Sequence, residues 1–248
     1  MNQAQLARGL WSLDELTSSD AHNLLATARV LKQTQGSGTP LKGKHVALLC
    51  ERPLRASADV FSAAAHGLGA RVTRIRTNAA RLGEAGELDH TARVLGRLYD
   101  AIECDGMGLA FMLALARAAA VPVFNVLVHD RHPTRLLADV MTMQEINPGP
   151  LGALALHVMG GARAPWGAAW RHMAGVTGID VAAGTRRAPP PELPRVAFVC
   201  DPRGPRCSDG QPALRVVRGE DGQAVSLAER QVINHRFVVQ ALLTHTIS

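Results

Sequence analysis

Apolar and polar residues follow one another along this chain in blocks that switch between two periods. Short apolar runs of strand length, such as HVALLC at 45–50 and PRVAFVC at 194–200, stand between longer segments whose apolar residues recur every three or four positions. Over residues 45–146 the order strand, helix, strand, helix repeats, which is typical of βαβ units and a parallel sheet with helices on both faces. The pattern therefore predicts an α/β fold.

A Pro- and Gly-rich segment, NPGPLG at 147–152, divides this pattern into two predicted lobes, 1–146 and 147–248. Each lobe is expected to be a parallel sheet flanked by helices, the second one smaller. In the second lobe, strands are predicted in ALALHVMG, GIDVAAG and PRVAFVC, and a long helix in SLAERQVINHRFVVQALLTHTI. Near the start, Ser12 is predicted to cap a helix, with Glu15 completing a capping box.

Composition and charge mainly exclude classes of protein and kinds of binding site. The 248 residues are 47% hydrophobic, enough for two compact cores, and no apolar run reaches the length of about 18 that a membrane helix needs. Without a signal-peptide pattern at the start, a cytoplasmic location is expected. The net charge of +6 is spread without a basic run and aromatic content is 4%, which argues against nucleic-acid binding. All three lysines precede residue 45, which excludes a P-loop or Schiff-base lysine in the body of the chain.

The cysteines predict neither a metal site nor a disulfide framework. Cys50, Cys104, Cys200 and Cys207 are widely spaced and form no CxxC pair, so reduced thiols are expected. Cys200 has no histidine or lysine close to it in sequence, which favours a small buried residue over a reactive thiol.

Ligands of open parallel sheets bind at the carboxyl ends of the strands. His132 stands out among the residues that follow strands, because it precedes Pro133 at a predicted helix start, where free N–H groups and the helix dipole favour an anion. A histidine bonded to the backbone at a helix entry explains the same pattern. Five segments follow predicted strands: ERPLRAS at 51–57, DGMG at 105–108, HDRHPTR at 129–135, GGARAP at 160–165 and CDPRGPRC at 200–207.

Several segments together resemble one family. In order and spacing, four segments resemble the first lobe of the ornithine and aspartate carbamoyltransferases: PLKGKHVALLCERP, LGEAGELDHTARVLGRLYDAI, VPVFN and HPTRLLADVMTMQE. The segment TARVLGRLYDAI is most similar to the ornithine enzymes. The likeness covers most of residues 10–146 and continues more faintly through GGARAPWGAAWRHMAGVTGIDVA and VINHRFVVQALL, a helix that in the family packs back on the first lobe.

The resemblance implies a cofactor-free reaction in which the amine of an amino acid attacks carbamoyl phosphate and expels phosphate. Such chemistry needs donors that neutralise a dianion and polarise the carbonyl oxygen. Carried over by position, the implied site is Arg55 and Ser57 for phosphate, His132 and Arg135 for catalysis, and Cys200 for the amino acid. The family also implies a homotrimer formed through the first lobe, or a mixed oligomer with a relative.

The phosphate-binding motif departs from the family pattern. The family turn S-T-R-T-R is replaced here by Leu54, Arg55, Ala56, Ser57 and Ala58. Only Ser57 keeps its chemistry, and Arg55 stands one position early. Because charge-assisted hydrogen bonds are the strong ones, the loss of two arginines is expected to cost several kcal/mol of phosphate binding.

Other site positions also differ. Asp105 replaces a family arginine, and Arg135 replaces the glutamine of the HPxQ motif, so Arg135 either supplies the lost positive charge or is neutralised by Asp105. Ala162, Ala164 and Pro165 replace residues that hold the amino acid. The D-x-x-x-S-M-G segment that receives ornithine is absent between GTRRAPPPELP and RVAFVC, so the second lobe is expected to be truncated.

Two hypotheses follow. The first is a carbamoyltransferase homologue without catalysis that serves as a scaffold, regulator or oligomer partner. The second is a remodelled transferase, or an anion- or amino-acid-binding protein, in which Arg55, Ser57, His132 and Arg135 bind carbamoyl phosphate or another small anion. The segment CDPRGPRCSDGQP is expected to be a disordered loop, given its Pro, Gly and Asp content.

Overall fold

The computed structural model describes residues 9–10, 12–35, 38–50, 56–77, 87–125, 131–160, 164–184, 196–218 and 224–247. Strands and helices alternate along them as the sequence pattern predicts. In chain order the elements are α1 (Ser18–Gln33), β1 (His45–Cys50), α2 (Ala56–Gly67), β2 (Arg71–Arg76), α3 (Glu87–Leu98), β3 (Ala101–Asp105), α4 (Leu109–Ala119), β4 (Val123–Phe124), α5 (Pro133–Ile146), β5 (Ala155–Met159), α6 (Pro165–Thr177), β6 (Asp180–Gly184), β7 (Val196–Cys200), β8 (Leu214–Arg218), β9 (Ala224–Ser226) and α7 (Ala228–Ile247).

The first sheet is parallel, which confirms the α/β prediction. Its strand order is β2-β1-β3-β4, and in the central strand Val46 aligns with Val72 on one side and Ala101 on the other. All residues of β1 after His45 are buried. A continuous apolar strand of this kind is stable only when helices cover both faces of the sheet.

The second sheet is mixed, so the prediction of a parallel sheet is wrong for part of it. In the order β6-β5-β7-β8-β9, strands β5, β6 and β7 are parallel, whereas β8 runs antiparallel to β7 and β9 antiparallel to β8. Parallel neighbours need a crossover connection, usually a helix. Residues 201–213 form turns instead of a helix, so β8 runs in the opposite direction to β7.

The C-terminal helix α7 packs against α1, α2 and α5, as expected from the family resemblance. Its apolar residues Val238, Leu242 and Leu243 are fully buried. They belong to one hydrophobic cluster that also contains Leu24 of α1 and Trp170 of α6. Helix α7 therefore joins both halves of the chain through a common core.

The capping prediction at Ser12 is wrong. Ser12 precedes only a short 3₁₀ turn, Leu13–Glu15, and its side chain makes no capping hydrogen bond. The long helix α1 begins later, at Ser18, where the Thr17 hydroxyl accepts a hydrogen bond from the backbone N–H of Asp20 at 3.1 Å. Thr17 offers the same capping chemistry as Ser12, directly before the apolar-periodic segment.

Two further observations concern the described residues. None of their helices combines the length and the apolar character that a membrane crossing requires. The four cysteines are buried free thiols, as predicted, and no group of three or more histidine, cysteine or acidic side chains in this part of the chain is arranged to hold a metal ion.

Candidate functional site

A cleft of about 790 Å³ lies between the two halves of the chain, at the carboxyl ends of the first-sheet strands. Met107 follows β3, Asn125 follows β4, and His132 precedes α5, while Pro165 begins α6 on the opposite wall. Three of the five segments singled out by their position after strands, at 105–108, 129–135 and 160–165, therefore reach one cleft. This is the placement expected for a ligand site in an open parallel sheet.

The cleft has an apolar wall and a modest set of polar groups. Helix α4 contributes Leu109, Met112 and Leu113, and the N-terminal turn at 12–15 forms another side. His172 Nδ1 lies 3.6 Å from Asp14 Oδ1, which links α6 to that turn. Among the described residues that line the cleft, Arg131 is the only arginine or lysine.

His132 is buried, and both of its ring nitrogens are engaged. Nδ1 accepts from the Thr134 backbone N–H at 3.3 Å, while Nε2 lies 2.7 Å from the Leu10 carbonyl oxygen and 3.2 Å from Asn125 Oδ1. Because a carbonyl oxygen only accepts, Nε2 carries the proton. The geometry is that of a histidine that caps a helix and fastens the N-terminal segment. Its role toward a ligand stays a prediction.

Arg135 is paired with an acid inside the protein. Its Nη1 lies 2.9 Å from Asp209 Oδ2, and both side chains are only 3% exposed. Arg135 does not line the cleft, and the acid that faces it is Asp209 rather than Asp105. The expectation that CDPRGPRCSDGQP, residues 200–212, is a disordered loop is wrong, because Asp209 and Gln211 in this segment have buried partners on α5 and α7.

A second buried acid, Asp139, connects α5 with the segment 201–213 and with α7. It accepts a hydrogen bond from Gln211 Nε2 at 2.8 Å and another from Gln231 Nε2 at 2.7 Å. Gln231 in turn accepts from the Leu214 backbone N–H at 2.7 Å. Complete burial raises the pKa of Asp139 well above its ordinary value, although both amides oppose that shift. Amide donors on both oxygens satisfy a group whose burial would otherwise be costly.

His235 connects this network to the N-terminus of α5. Its Nε2 lies 3.2 Å from Thr134 Oγ1, and its Nδ1 lies 3.5 Å from Asp209 Oδ2. Burial lowers the pKa of His235 to about 4, although Asp209 acts in the opposite direction. Burial alone would raise the pKa of Asp209, but His235 and Arg135 outweigh it and the pKa falls to about 2. At neutral pH the site thus holds an ionised Asp209, a charged Arg135 and a neutral His235.

Comparison with known proteins identifies the family. Residues 8–145 match the family model described as aspartate/ornithine carbamoyltransferase, carbamoyl-P binding domain. The chain belongs to the aspartate/ornithine carbamoyltransferase family. It is 38% identical over 177 residues to the catabolic ornithine carbamoyltransferase of Pseudomonas putida, across 70% of this chain and 53% of that protein. It is 39% identical over 177 residues to the ornithine carbamoyltransferase of Haemophilus influenzae, with the same coverage.

The chain thus spans about half the length of the curated carbamoyltransferases it matches. Two solved structures share its fold across most of both chains. Ornithine carbamoyltransferase from Thermus thermophilus superposes with a TM-score of 0.73 at 20% identity, covering 97% of this chain and 99% of that one. The enzyme from Gloeobacter violaceus gives 0.69 at 21% identity with the same coverage.

The remaining residues carried over from the carbamoyltransferase motifs are placed as follows. Arg55 lies outside the described residues, and Ser57 lies in the first turn of α2, directly after the β1 end of the sheet. Cys200 ends β7 and is 1% exposed within the hydrophobic core. Burial raises the pKa of the Cys200 thiol, so it stays protonated. Its placement is that of a packed core residue, and its role toward an amino acid stays a prediction.

Sequence reasoning missed the buried polar network of this carbamoyltransferase-family chain. The sequence did contain a signal for this network. Asn234 and His235 stand three and four residues after Gln231, so all three share one face of α7. On α5, Arg135 and Asp139 are four residues apart. Polar residues at helical spacing inside an apolar helix indicate a buried network, since each needs a partner once water is excluded.

The low pKa of His235 predicts a contribution to stability that is lost in mild acid. Its pKa lies near 4 in the folded protein, against an ordinary value of 6.5, so between these values the unfolded chain binds a proton that the folded chain excludes. The contribution of His235 to the free energy of unfolding is therefore fully present above pH 6.5 and decreases by on the order of 3 kcal/mol as the pH approaches 4. The raised pKa of Asp139 acts in the opposite direction over this range, so the contribution of His235 is obtained as the difference between the wild type and His235→Gln. Chemical denaturation across this range tests the prediction.

A matched pair of variants serves as the control. His235→Gln should lose less stability than the wild type, or gain some, between pH 6.5 and 4, because its titrating group is gone while Asp139 stays. His66→Gln should retain the wild-type slope, since His66 is exposed at the end of α2. Equal slopes in the wild type and in His235→Gln would contradict the assignment.

Proposed function

We propose that this chain is a non-catalytic member of the carbamoyltransferase family that acts as a scaffold, regulator or oligomer partner. The observation that carries the proposal is the buried ion pair between Arg135 and Asp209. Arg135 occupies the glutamine position of the HPxQ motif, and its charge is already neutralised inside the protein. A group held in this way is not available to polarise a substrate carbonyl.

The electrostatics of the cleft support the same proposal. A phosphate dianion is bound in proteins by several cationic or N–H donors acting together. Arg131 is the only arginine or lysine among the described lining residues, and the S-T-R-T-R turn has lost both arginines in this sequence. His132 donates from Nε2 to the Leu10 carbonyl, so binding a substrate oxygen requires breaking that bond first.

Apolar surface on the first half of the chain supports a role in association. Val94 and Leu98 lie four residues apart on α3 and are 40% and 61% exposed, so they share one face of that helix. Exposed apolar side chains that share a helix face can contribute to a protein interface. We propose self-association, or mixing with an active relative, through this half.

A second candidate function is favoured by the cleft itself. Arg131 and His132 stand at the N-terminus of α5, where the helix dipole attracts anions, and Asn125 lies beside them. The alternative is a remodelled site for carbamoyl phosphate, another small anion or an amino acid. Under this alternative the ligand is lost in Ser57→Ala or His132→Ala, whereas a scaffold retains its assembly in both variants.

The decisive experiment measures turnover and assembly on one sample. The purified protein is titrated calorimetrically with carbamoyl phosphate and then ornithine, citrulline is assayed, and the oligomeric state is determined by light scattering. An active ornithine carbamoyltransferase assayed in parallel is the positive control. We expect a folded oligomer that forms no citrulline above the protein-free blank. Citrulline formation that disappears in His132→Ala would overturn the proposal.

A further inference from the structure

A second pocket, of about 670 Å³, lies where α1, the end of α5 and the start of α7 meet the Pro- and Gly-rich connection to the second half of the chain. We call it the hinge pocket. It shares no lining residue with the interlobe cleft. Its lining residues are Arg29, Lys32, Gln33, Met141, Gln144, Glu145, Pro148, Gly149 and Arg230.

The charges in the hinge pocket are unequal. Lys32 Nζ lies 2.7 Å from Glu145 Oε1, and Arg230 Nη1 lies 3.6 Å from Glu145 Oε2. Arg29 lines the same pocket and hydrogen-bonds to the side-chain carbonyl of Gln144 instead of to an acid. Three cations from two helices thus share one carboxylate, which leaves two positive charges without a counter-charge among the lining residues.

Two of these cations, Arg29 and Lys32, are held in place and partly removed from water. Gln144, the partner of Arg29, is itself fixed because its Nε2 donates to the Gly149 carbonyl at 2.7 Å. Lys32 also donates to Asn234 Oδ1 at 2.7 Å, and its side chain is 29% exposed. Burial lowers the pKa of Arg29 even though Glu145 acts to raise it. A desolvated positive charge gains more from a bound anion than one in bulk water does.

We propose that the hinge pocket binds a small dianion, whose two negative charges equal the excess positive charge of Arg29, Lys32 and Arg230 over Glu145. Arginine forks suit the oxygens of phosphates and carboxylates alike. Solvent-exposed ion pairs between helices are common and contribute little. In the hinge pocket the excess of positive charge lies in a concave surface, whereas a simple surface ion pair needs no concave surface.

The test is calorimetric titration of the whole chain with inorganic phosphate and, in a separate arm, with succinate, at constant ionic strength. Saturable one-to-one binding is expected in at least one arm, and comparison of the arms tells a phosphate ligand from a dicarboxylate. Arg230→Gln and Arg29→Gln should each weaken that binding about tenfold, because each removes a charge-assisted hydrogen bond. Arg230 is half-exposed and makes only a long ion pair, so its variant is expected to fold normally.

Arg236→Gln is the matched control, with the same charge change on the same helix at an exposed position outside the pocket. It should bind like the wild type. Equal weakening in Arg236→Gln would indicate non-specific charge attraction and overturn the proposal, as would the absence of saturable binding in both arms.

This inference and the proposed function can fail separately. Carbamoyl phosphate is itself a dianion, so its titration is repeated with Arg230→Gln and with His132→Ala. Binding heat that is lost only in Arg230→Gln comes from the hinge pocket and does not contradict the proposal that the chain is non-catalytic. Heat that is lost only in His132→Ala comes from the cleft, contradicts the hinge assignment for this ligand and favours a remodelled active site.

Discussion

Replacing Arg135 by glutamine is expected to lower the free energy of unfolding by about 3 kcal/mol at neutral pH. The substitution removes the guanidinium 2.9 Å from Asp209 and leaves that carboxylate ionised, although its side chain is only 3% exposed. His235, the other neighbour of Asp209, is neutral at this pH because burial lowers its pKa to about 4. The substitution removes one cause of that low pKa, but burial, the largest cause, remains, so His235 compensates for the lost charge only in part.

Equilibrium denaturation in urea measures this loss, and two further variants interpret it. Arg135→Gln combined with Asp209→Asn should recover most of the stability, since no uncompensated charge stays buried. Arg97→Gln, at an exposed position on α3, should change stability by less than about 0.5 kcal/mol. If Arg135→Gln proved as stable as Arg97→Gln, the ion pair would not be the structural element proposed here, and Arg135 would again be a candidate for the ligand site.

Replacing Gly96 by alanine is expected to destabilise the protein by about 3 kcal/mol, although alanine is the better helix former. A Cβ added at Gly96 in α3 falls 1.9 Å from the carbonyl oxygen of Ala119, the last residue of α4. The obstruction is backbone, so a change of side-chain rotamer does not relieve it. The two helices must move apart, which weakens the packing of both on the first sheet.

Thermal denaturation checks this prediction against Gly175→Ala. Gly175 is an exposed glycine of α6 with no atom within 4 Å of an added Cβ. Alanine there should stabilise by about 1 kcal/mol through helix propensity alone. The two substitutions should therefore shift the melting temperature in opposite directions. A rise in both would mean that the approach of α3 to α4 is looser than the structure indicates.

Much of the fold was predictable because its elements differ in local period. Strand β1 is recognisable in HVALLC because both faces of the first sheet are covered, and α7 is recognisable from its long helical periodicity. The direction of β8 was not predictable. The pattern of apolar residues in a strand does not depend on whether its neighbour is parallel, and that choice depends on the connection at 201–213.

The candidate site, like the fold, was only partly predictable from the sequence. The cleft position follows from a general rule about the carboxyl ends of parallel strands, which named five candidate segments, and the structure shows that three of them, DGMG, HDRHPTR and GGARAP, reach the cleft. The sequence also showed that Arg135 stands in place of a glutamine. It did not show which acid neutralises Arg135, because Asp105 and Asp209 were both present and neither is adjacent to it along the chain.

The amino-acid order was thus enough for the α/β class, the order of the elements, the family and the loss of the two phosphate-binding arginines, since each of these depends on local periodicity or on motif spacing. Only the tertiary structure identified the partners of the buried polar groups: Asp209 for Arg135, Gln211 and Gln231 for Asp139, and the Leu10 carbonyl for His132. Those pairs join residues far apart in sequence. Their energies arise only when tertiary packing excludes water and brings donor and acceptor within hydrogen-bonding distance.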